Sequence, residues 1–286
     1  MKLFPVAAVA AFTALTGAAQ AAPIVFAVSQ TADDGVVNAY VESFSGSGTL
    51  QSRINLGVGF NPGGVAVAGN TIYVSSTNQA GIRSYNLATG TAGAAITTGM
   101  QGYGSLSADA TGLWANDGTG GNKAVHITFA GLIDRTPTLS RCGSNCSAIE
   151  AFSRGGTSFL IASEGAANGS PATYDLYRTD GTLVTAGLLS NVPFGTGLAY
   201  DAAADAFIVA SSPGTPGNGG SLLTYGFGGA LLSTAALGGP IQDVGFGNAR
   251  FLNDLAASAA PVPEPMSLAL LVSSLGVLGF MRRRRA

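Results

Sequence analysis

The fold is decided by a short repeated stretch, and its clearest copy is Gly64-Val65-Ala66-Val67-Ala68-Gly69-Asn70-Thr71-Ile72-Tyr73-Val74. Two short apolar segments flank a Gly-Asn pair, which is the pattern of two strands joined by a tight turn. Gly and Asn suit such a turn because tight hairpins need positive φ angles. The stretch therefore predicts a β-hairpin.

The same hairpin recurs along the chain. Further copies are Ser105 to Ala115, Ile149 to Ala162 around Arg154-Gly155-Gly156, Gly197 to Ala210 around Asp201, and Val244 to Leu252 around Gly247-Asn248. The aligned apolar positions of the second strand are Phe26, Ile72, Leu113, Phe159, Phe207 and Phe251, which recur every 41 to 48 residues. A repeat of this length is typical of a β-propeller blade.

A second hairpin follows each of the first five copies. The aromatic or apolar segments and their turns are Tyr40 to Phe44 before Gly46, Ser84 to Asn86 before Gly90, Ile127 to Phe129 before Gly131, Tyr177 before Gly181, and Tyr225 to Phe227 before Gly229. Each unit thus contains four strands. The aromatic-x-x-x-Gly hairpins resemble NHL and YVTN propeller blades. A β-sandwich would not explain the period, and a β-helix would have a shorter one.

The two ends of the repeat array are incomplete in complementary ways. The first unit lacks its opening strand and the last stops after two strands, so we expect a C-terminal strand near Gln242 to Gly247 to complete the first blade. Three strands in the first unit, four in each of the next four and two in the last give a count of 21, which favours an all-β propeller of five four-stranded blades, with six blades as the alternative.

Composition agrees with this fold class. Only 10% of the 286 residues are charged and 42 are Gly, whereas an average soluble domain has roughly 25% charged residues and about 7% Gly. Because 47% of the residues are hydrophobic, the chain is not of the disordered class. Gly costs about 1 kcal/mol relative to Ala inside a helix, which excludes a helical bundle.

The N-terminus has the features of a signal peptide. Lys2 precedes an apolar run from Leu3 to Ala19, and Ala19-Gln20-Ala21 supplies the small-x-small pattern that signal peptidase accepts. We predict cleavage before Ala22. The alternative is a retained membrane anchor.

The C-terminal sequence predicts a short membrane helix. A Pro-rich segment from Ala260 to Pro265 leads into Met266 to Met281, an uncharged run, and then into Arg282, Arg283, Arg284 and Arg285. As a helix the run would extend about 24 Å, a little less than a hydrocarbon core of about 30 Å, and snorkelling arginines can make up the difference. Arginines stay on the cytoplasmic side, so we expect the preceding domain outside.

The order Val262-Pro263-Glu264-Pro265, short hydrophobic helix and arginine cluster resembles the PEP-CTERM sorting signal. The resemblance implies an exported protein of a Gram-negative bacterium, processed by an exosortase and often associated with exopolysaccharide or biofilm matrix. The resemblance implies that Pro263, Glu264 and Pro265 are the recognition residues and that Met266 to Phe280 form a transient inner-membrane anchor. It also implies that Arg282 to Arg285 stop the chain at the membrane. The alternative is a permanent anchor. The domains expected are 1–21 signal peptide, 22–258 propeller and 259–286 sorting signal.

Removal of both targeting segments changes the charge balance. Residues 1–21 and 266–286 contain five of the 13 basic residues and none of the 15 acidic ones, which leaves eight basic residues against 15 acidic ones and a net charge of −7. Such an acidic domain has no basic patch for a phosphate backbone, which argues against nucleic-acid binding.

Motifs for catalysis are scarce. The single histidine, His126, alternates with Val125 and Ile127, and we interpret it as a surface-facing strand residue. No nucleophile elbow, zinc-protease motif, Walker A or Rossmann fingerprint stands in a supporting context. The sequence therefore names no catalytic residue.

The two cysteines, Cys142 and Cys146, lie between the third and fourth full repeats. In an exported protein two nearby cysteines are oxidised, so we predict a structural disulfide. A redox role would favour Cys-x-x-Cys, and a zinc site would need two more ligands.

A metal site is suggested by the polar groups that follow the second strands. Asp117, Glu164 and Asp254 are carboxylates at such positions, and oxygen ligands converging on the axis would suit Ca²⁺. The alternative is that they are ordinary polar loop ends.

Three functions fit these patterns. The first is a non-enzymatic extracellular propeller that binds a matrix glycan or protein. The second is a hydrolase or lactonase that uses Ca²⁺ at Asp117, Glu164 and Asp254 as a Lewis acid. The third is a structural matrix component without a specific ligand.

Overall fold

The computed structural model describes residues 24–33, 36–116, 121–143, 146–164, 171–211, 220–238 and 250–258. These residues form five antiparallel four-stranded sheets, the five blades of a propeller. Blade 1 contains β1 (Ile24–Asp33), β2 (Val36–Phe44), β3 (Leu50–Val58) and β20 (Arg250–Ser258). Blade 2 contains β4 (Pro62–Ala68), β5 (Thr71–Ser76), β6 (Ala80–Asn86) and β7 (Ile96–Gln101).

The other three blades follow in chain order. Blade 3 contains β8 (Leu106–Ala108), β9 (Gly112–Asn116), β10 (Ala124–Thr128) and β11 (Ile133–Arg135). Blade 4 contains β12 (Cys146–Arg154), β13 (Thr157–Glu164), β14 (Ala172–Arg178) and β15 (Leu183–Val192). Blade 5 contains β16 (Gly195–Asp201), β17 (Ala206–Ser211), β18 (Ser221–Gly226) and β19 (Leu231–Ala236). The predicted all-β propeller of five four-stranded blades is confirmed.

The innermost strands form a closed ring in the order β20, β4, β8, β12 and β16. Five apolar clusters fill the spaces between neighbouring blades, one at each interface. Successive side chains of a strand point to opposite faces of its sheet. In β5, for example, Ile72 packs towards blade 1 while Tyr73 packs towards blade 3. Both faces of each blade are therefore apolar, which explains the largely uninterrupted apolar segments of the repeat.

The ring is closed by a strand from the C-terminal end of the propeller, as the incomplete first unit predicts. The closing strand is β20, which pairs antiparallel with β1 from Ile24↔Ser258 to Thr31↔Arg250. The predicted closing segment, Gln242 to Gly247, lies outside the described residues. Phe251 belongs to this innermost strand and pairs with Gln30, so its assignment to a second strand was wrong. Blade 1 has three strands from the N-terminal side and needs only one more.

The propeller has two faces that differ in their connections. The turn face carries the hairpins that join each innermost strand to the second strand and each third strand to the outermost one, and both Ile24 and Ser258 lie there. The loop face carries the remaining connections. The separation follows from the antiparallel order, because successive turns of a meander alternate between the two ends of a sheet.

The described part of the propeller runs from Ile24 to Ser258. The predicted signal peptide, 1–21, and the predicted sorting signal, 259–286, lie outside the described residues, and so do Pro263, Glu264, Pro265 and Arg282 to Arg285. Within the part of the chain that the structure describes, no helix has the length and apolar character needed to cross a membrane.

Candidate functional site: the propeller axis and the grooves between blades

Polar side chains join neighbouring innermost strands around the axis. Each innermost strand pairs with a second strand on one edge only, so backbone N–H groups of its other edge need partners. Between blades 3 and 4 these partners are hydroxyls, since Ser105 Oγ accepts from the Ile149 N–H at 3.0 Å and Ser107 Oγ from the Ala151 N–H at 2.8 Å. The axis is thus held by side-chain-to-backbone hydrogen bonds.

Asp254 of β20 links three blades. Its Oδ2 accepts from the Leu106 N–H at 2.8 Å and the Val65 N–H at 3.1 Å, and the Ser105 hydroxyl lies 3.2 Å away. The side chain is 0% exposed, and among the described residues its other oxygen, Oδ1, has no hydrogen-bond partner. Burial raises the pKa of this carboxyl well above its usual range, because desolvation disfavours the charged form.

Glu150 of β12 is the second carboxylate at the axis. Its Oε1 accepts from the Tyr200 N–H of blade 5 at 3.0 Å, and burial raises its pKa to about 8. Repulsion from Glu150 adds to the raised pKa of Asp254. We call these two residues the axial carboxylate pair.

Glycine on the innermost strands makes this close approach possible. A Cβ at Gly197 would lie 2.6 Å from Asp254 Oδ1, and one at Gly64 would lie 2.7 Å from the Ser105 Cα. Real Cβ atoms do not approach other atoms so closely. Part of the high glycine content is therefore required by the narrow ring and not by hairpin turns.

Of the three predicted metal ligands, Asp254 is the one that the described residues place at the axis. Asp117 lies outside the described residues, and Glu164 ends β13, where it pairs with Cys146 and Thr173. Within the described ranges no group of three or more His, Cys, Asp or Glu side chains could hold a metal ion. The sequence reasoning missed Glu150, although a lone carboxylate inside an apolar innermost strand is a signal that could have found it.

The interpretation of His126 as a surface residue was wrong. The residue is 0% exposed, and its Nδ1 lies 2.5 Å from Asp134 Oδ1 while its Nε2 lies 3.2 Å from the Thr111 hydroxyl. The neighbouring Asp109 accepts from Trp114 Nε1 at 2.8 Å. Burial raises the pKa of Asp109, but hydrogen bonds from Thr111 and Trp114 outweigh burial and lower it to about 2. His126 thus belongs to a polar network that fastens the strands of blade 3.

The predicted disulfide is confirmed. Cys142 and Cys146 are bonded, with their Cα atoms 5.0 Å apart, and both are buried against Trp114 and Ile149 in the cluster between blades 3 and 4. The bridge closes the connection between β11 and β12. It therefore fixes the entry of the chain into an innermost strand.

The described residues form grooves between neighbouring blades, and three of them have measurable volumes. One of about 650 Å³ separates blades 2 and 3 and is lined by Tyr73, Tyr85, Asn86, Thr97 and Phe129 among others. A groove of about 310 Å³ lies between blades 1 and 2, and one of about 260 Å³ lies between blades 3 and 4. These are open concavities that a ligand could enter.

The ring of five blades places this chain among the β-propellers. No protein-family model matches the sequence, and no curated protein matches it. Among solved structures, a chain in a crystal structure of the nidogen/laminin complex has a TM-score of 0.51 at 14% identity, with 83% of this chain and 98% of that chain covered. At this identity the likeness shows the fold alone.

Two further solved structures have lower TM-scores. Glutaminyl cyclase from Myxococcus xanthus has a TM-score of 0.45 at 15% identity, with 63% of this chain and 83% of that chain covered. Hydrazine synthase from Kuenenia stuttgartiensis has a TM-score of 0.41 at 13% identity, with 68% and 61% covered. Neither contributes to the conclusions below.

Proposed function

We propose that this chain is an exported propeller of a Gram-negative bacterium that binds a glycan or protein of the extracellular matrix without catalysing a reaction. The observation that carries the proposal is the use of the axial polar groups. Asp254 Oδ2, Ser105 and Ser107 already hold neighbouring strands together, and the single histidine is buried between Asp134 and Thr111. Among the described residues these polar groups stabilise the ring, and the concavities lie between the blades.

Export and sorting are supported by the two chain ends and by the disulfide. Signal peptidase would cleave before Ala22, and an exosortase would act near Pro263-Glu264-Pro265 while the following helix holds the chain in the inner membrane. The disulfide fits an oxidising compartment outside the cytoplasm. The protein would then remain at the cell surface or in the extracellular matrix.

Intact mass spectrometry of the protein recovered from producing cells tests the processing. We expect a species that begins at Ala22 and ends near the Pro-Glu-Pro motif. A chain that starts at Ala22 but retains Arg282 to Arg285 would indicate a permanent anchor. A full-length chain would contradict both processing steps.

Retention on exopolysaccharide tests the binding function. Exopolysaccharide from the producing organism is immobilised on beads, and the fraction of protein retained is compared with that on bare beads. We expect saturable retention that soluble exopolysaccharide competes away. Retention at the level of bare beads, together with no matrix protein captured by reciprocal pull-down, would favour the structural matrix component instead.

A second candidate, a Ca²⁺-dependent hydrolase or lactonase, is favoured by one observation. Asp254 Oδ1 is a buried carboxylate oxygen without a hydrogen-bond partner among the described residues, and such an atom marks a place where an ion or water fits. Calorimetric titration with CaCl₂ tests this candidate. It requires saturable Ca²⁺ binding that Asp254→Asn abolishes, and no heat of binding would exclude Asp254 as a ligand.

A further inference from the structure

We propose that the groove between blades 2 and 3 binds neutral polysaccharide through stacking of a hexopyranose ring on an aromatic platform. This inference rests on the proposed binding function and assigns it a site and a ligand class. We call the site the blade 2–3 groove. It lies between β5, β6 and the segment Thr91 to Thr97 on one side and the turn after β10 on the other.

The platform consists of two aromatic side chains from different blades. Tyr73 of β5 and Phe129 of the β10–β11 turn have ring centroids 5.6 Å apart and planes inclined by 29°. Phe129 is 38% exposed, so part of its ring is open to a ligand. Aromatic faces carry partial negative charge, and the C–H groups on one face of a pyranose ring carry partial positive charge. A hexopyranose ring is therefore a complementary partner for this platform.

Polar groups of the kind that bind sugar hydroxyls surround the platform. Among the described residues, the Tyr73 hydroxyl, the Thr97 hydroxyl and Asn86 Nδ2 have no hydrogen-bond partner. Asn86 Oδ1 accepts from the N–H groups of Ala88 and Thr89, each at 3.0 Å, and these bonds hold the amide in place with its N–H donors unused. The groove thus combines a stacking surface with free donors and acceptors, as small-molecule sites do.

The charge of the groove favours a neutral ligand. No Lys, Arg, Asp or Glu is among its described lining residues, so nothing there would neutralise a uronate or sulfate. The predicted exported domain also has a net charge of −7, which repels polyanions. Hydroxyl and amide groups can hydrogen-bond to a neutral sugar without this electrostatic repulsion.

The groove is preformed and large enough for sugar rings. Its volume of about 650 Å³ falls in the usual range for small-molecule sites, roughly 300 to 1,000 Å³. Its floor is held by the Ser84 hydroxyl, which donates to the Ala94 carbonyl at 2.7 Å, and by the Gly93 N–H, which donates to the Ser84 carbonyl at 2.9 Å. A site built in this way loses little conformational freedom on binding.

Isothermal titration calorimetry with the full chain tests the proposal. The probes are three neutral oligosaccharides, cellohexaose, laminarihexaose and chitohexaose, with alginate hexamer as the anionic comparison. We expect saturable binding of at least one neutral probe and none of alginate. Phe129→Ala should weaken the neutral probe at least about ten-fold, because it removes the exposed ring of the platform.

A matched control is available on the loop face. Phe194 is 41% exposed, so Phe194→Ala removes a similar aromatic surface far from the groove and should leave affinity unchanged. Thr97→Val, an exposed and nearly isosteric change, should weaken binding several-fold without affecting folding. This variant preserves the test if Phe129→Ala does not fold.

The outcomes separate the inference from the proposed function. If the wild type, Phe129→Ala and Thr97→Val bind a neutral probe with equal affinity, the blade 2–3 groove is not the binding site. The proposed glycan-binding function would still stand. Retention on exopolysaccharide with binding of alginate alone would overturn the neutral ligand class. No binding of any probe and no retention on exopolysaccharide would overturn both.

Discussion

Glu150 shows how one buried carboxyl can make the stability of the ring depend on pH. In the folded chain burial raises its pKa to about 8 from an ordinary value of 4.5. The folded state therefore holds this proton more tightly than the unfolded state does. Its stabilising contribution is complete below pH 4.5 and is lost as the pH rises through 8.

We expect Glu150→Gln to remove the part of the pH dependence that comes from Glu150, while Asp254, whose pKa burial also raises, keeps its own part in both proteins. The melting temperature of the wild type should fall between pH 5 and pH 9, whereas that of Glu150→Gln should fall less and exceed the wild-type value at pH 9. Asp109 and Asp205, whose pKa values are lowered to about 2, lose their contributions only in acid, outside this window. Parallel melting curves for the two proteins would contradict the assignment.

Gly197 tests the close packing of the axis. Gly197→Ala should destabilise the propeller by about 1–3 kcal/mol, because the added Cβ would lie 2.6 Å from Asp254 Oδ1. Gly228→Ala is the matched control, since a Cβ there meets nothing within 4 Å, and it should change stability by less than about 0.5 kcal/mol. Urea unfolding measures both, and equal midpoints would show that the axis can relax.

At the scale of the element, the turns between third and outermost strands serve as contacts between blades. One glycine of each turn has a positive φ, and the five are Gly48 (83°), Gly90 (68°), Gly131 (87°), Gly181 (90°) and Gly229 (83°). A Cβ at Gly48, Gly131, Gly181 or Gly229 would crowd a backbone carbonyl of the preceding blade. The aromatic-x-x-x-Gly pattern therefore marks both a turn and the place where that turn packs against the preceding blade.

Gly181→Ala and Gly156→Ala separate these two roles. Both positions have positive φ, so both substitutions strain the backbone by about 1 kcal/mol. Only at Gly181 would the Cβ also crowd a neighbour, lying 2.5 Å from the Thr138 carbonyl, while Gly156 has nothing within 4 Å. We expect the free energy of unfolding in urea to fall further for Gly181→Ala. Equal losses would show that only the positive φ of the turn requires glycine at position 181.

At the scale of the molecule, the ring depends on a strand from the far end of the propeller. β20 supplies the innermost strand of blade 1 through eight paired positions with β1, and Asp254 from this strand bonds to blades 2 and 3. A propeller whose ends meet in one blade has no free innermost edge. Closure therefore couples all five blades.

Truncation separates the closing strand from the sorting tail. A chain that ends after residue 258 keeps β20 and should unfold in one cooperative transition. A chain that ends after residue 249 loses β20 and leaves the edge of β1 unpaired, so we expect a broad transition or aggregation. Calorimetry with circular dichroism distinguishes the two, and similar cooperativity would show that closure is dispensable.

The sequence by itself determined the blade repeat, the five blades, the incomplete first unit and the disulfide. These features were readable because a hairpin is local, and its turn residues and apolar strands lie within one repeat of 41 to 48 residues. The position of the closing strand was missed, since Phe251 fits the pattern of a second strand as well as that of an innermost one.

Only the tertiary structure decided which residues meet between blades. Asp254 and Leu106 bond across 148 residues of chain, Glu150 reaches Tyr200 across 50, and Tyr73 stacks on Phe129 from another blade. His126 is buried although its strand alternates, because both faces of each blade are covered by neighbours. Alternation along a strand predicts which face of the blade a side chain points to. Which residues of the neighbouring blade cover that face depends on the closed ring.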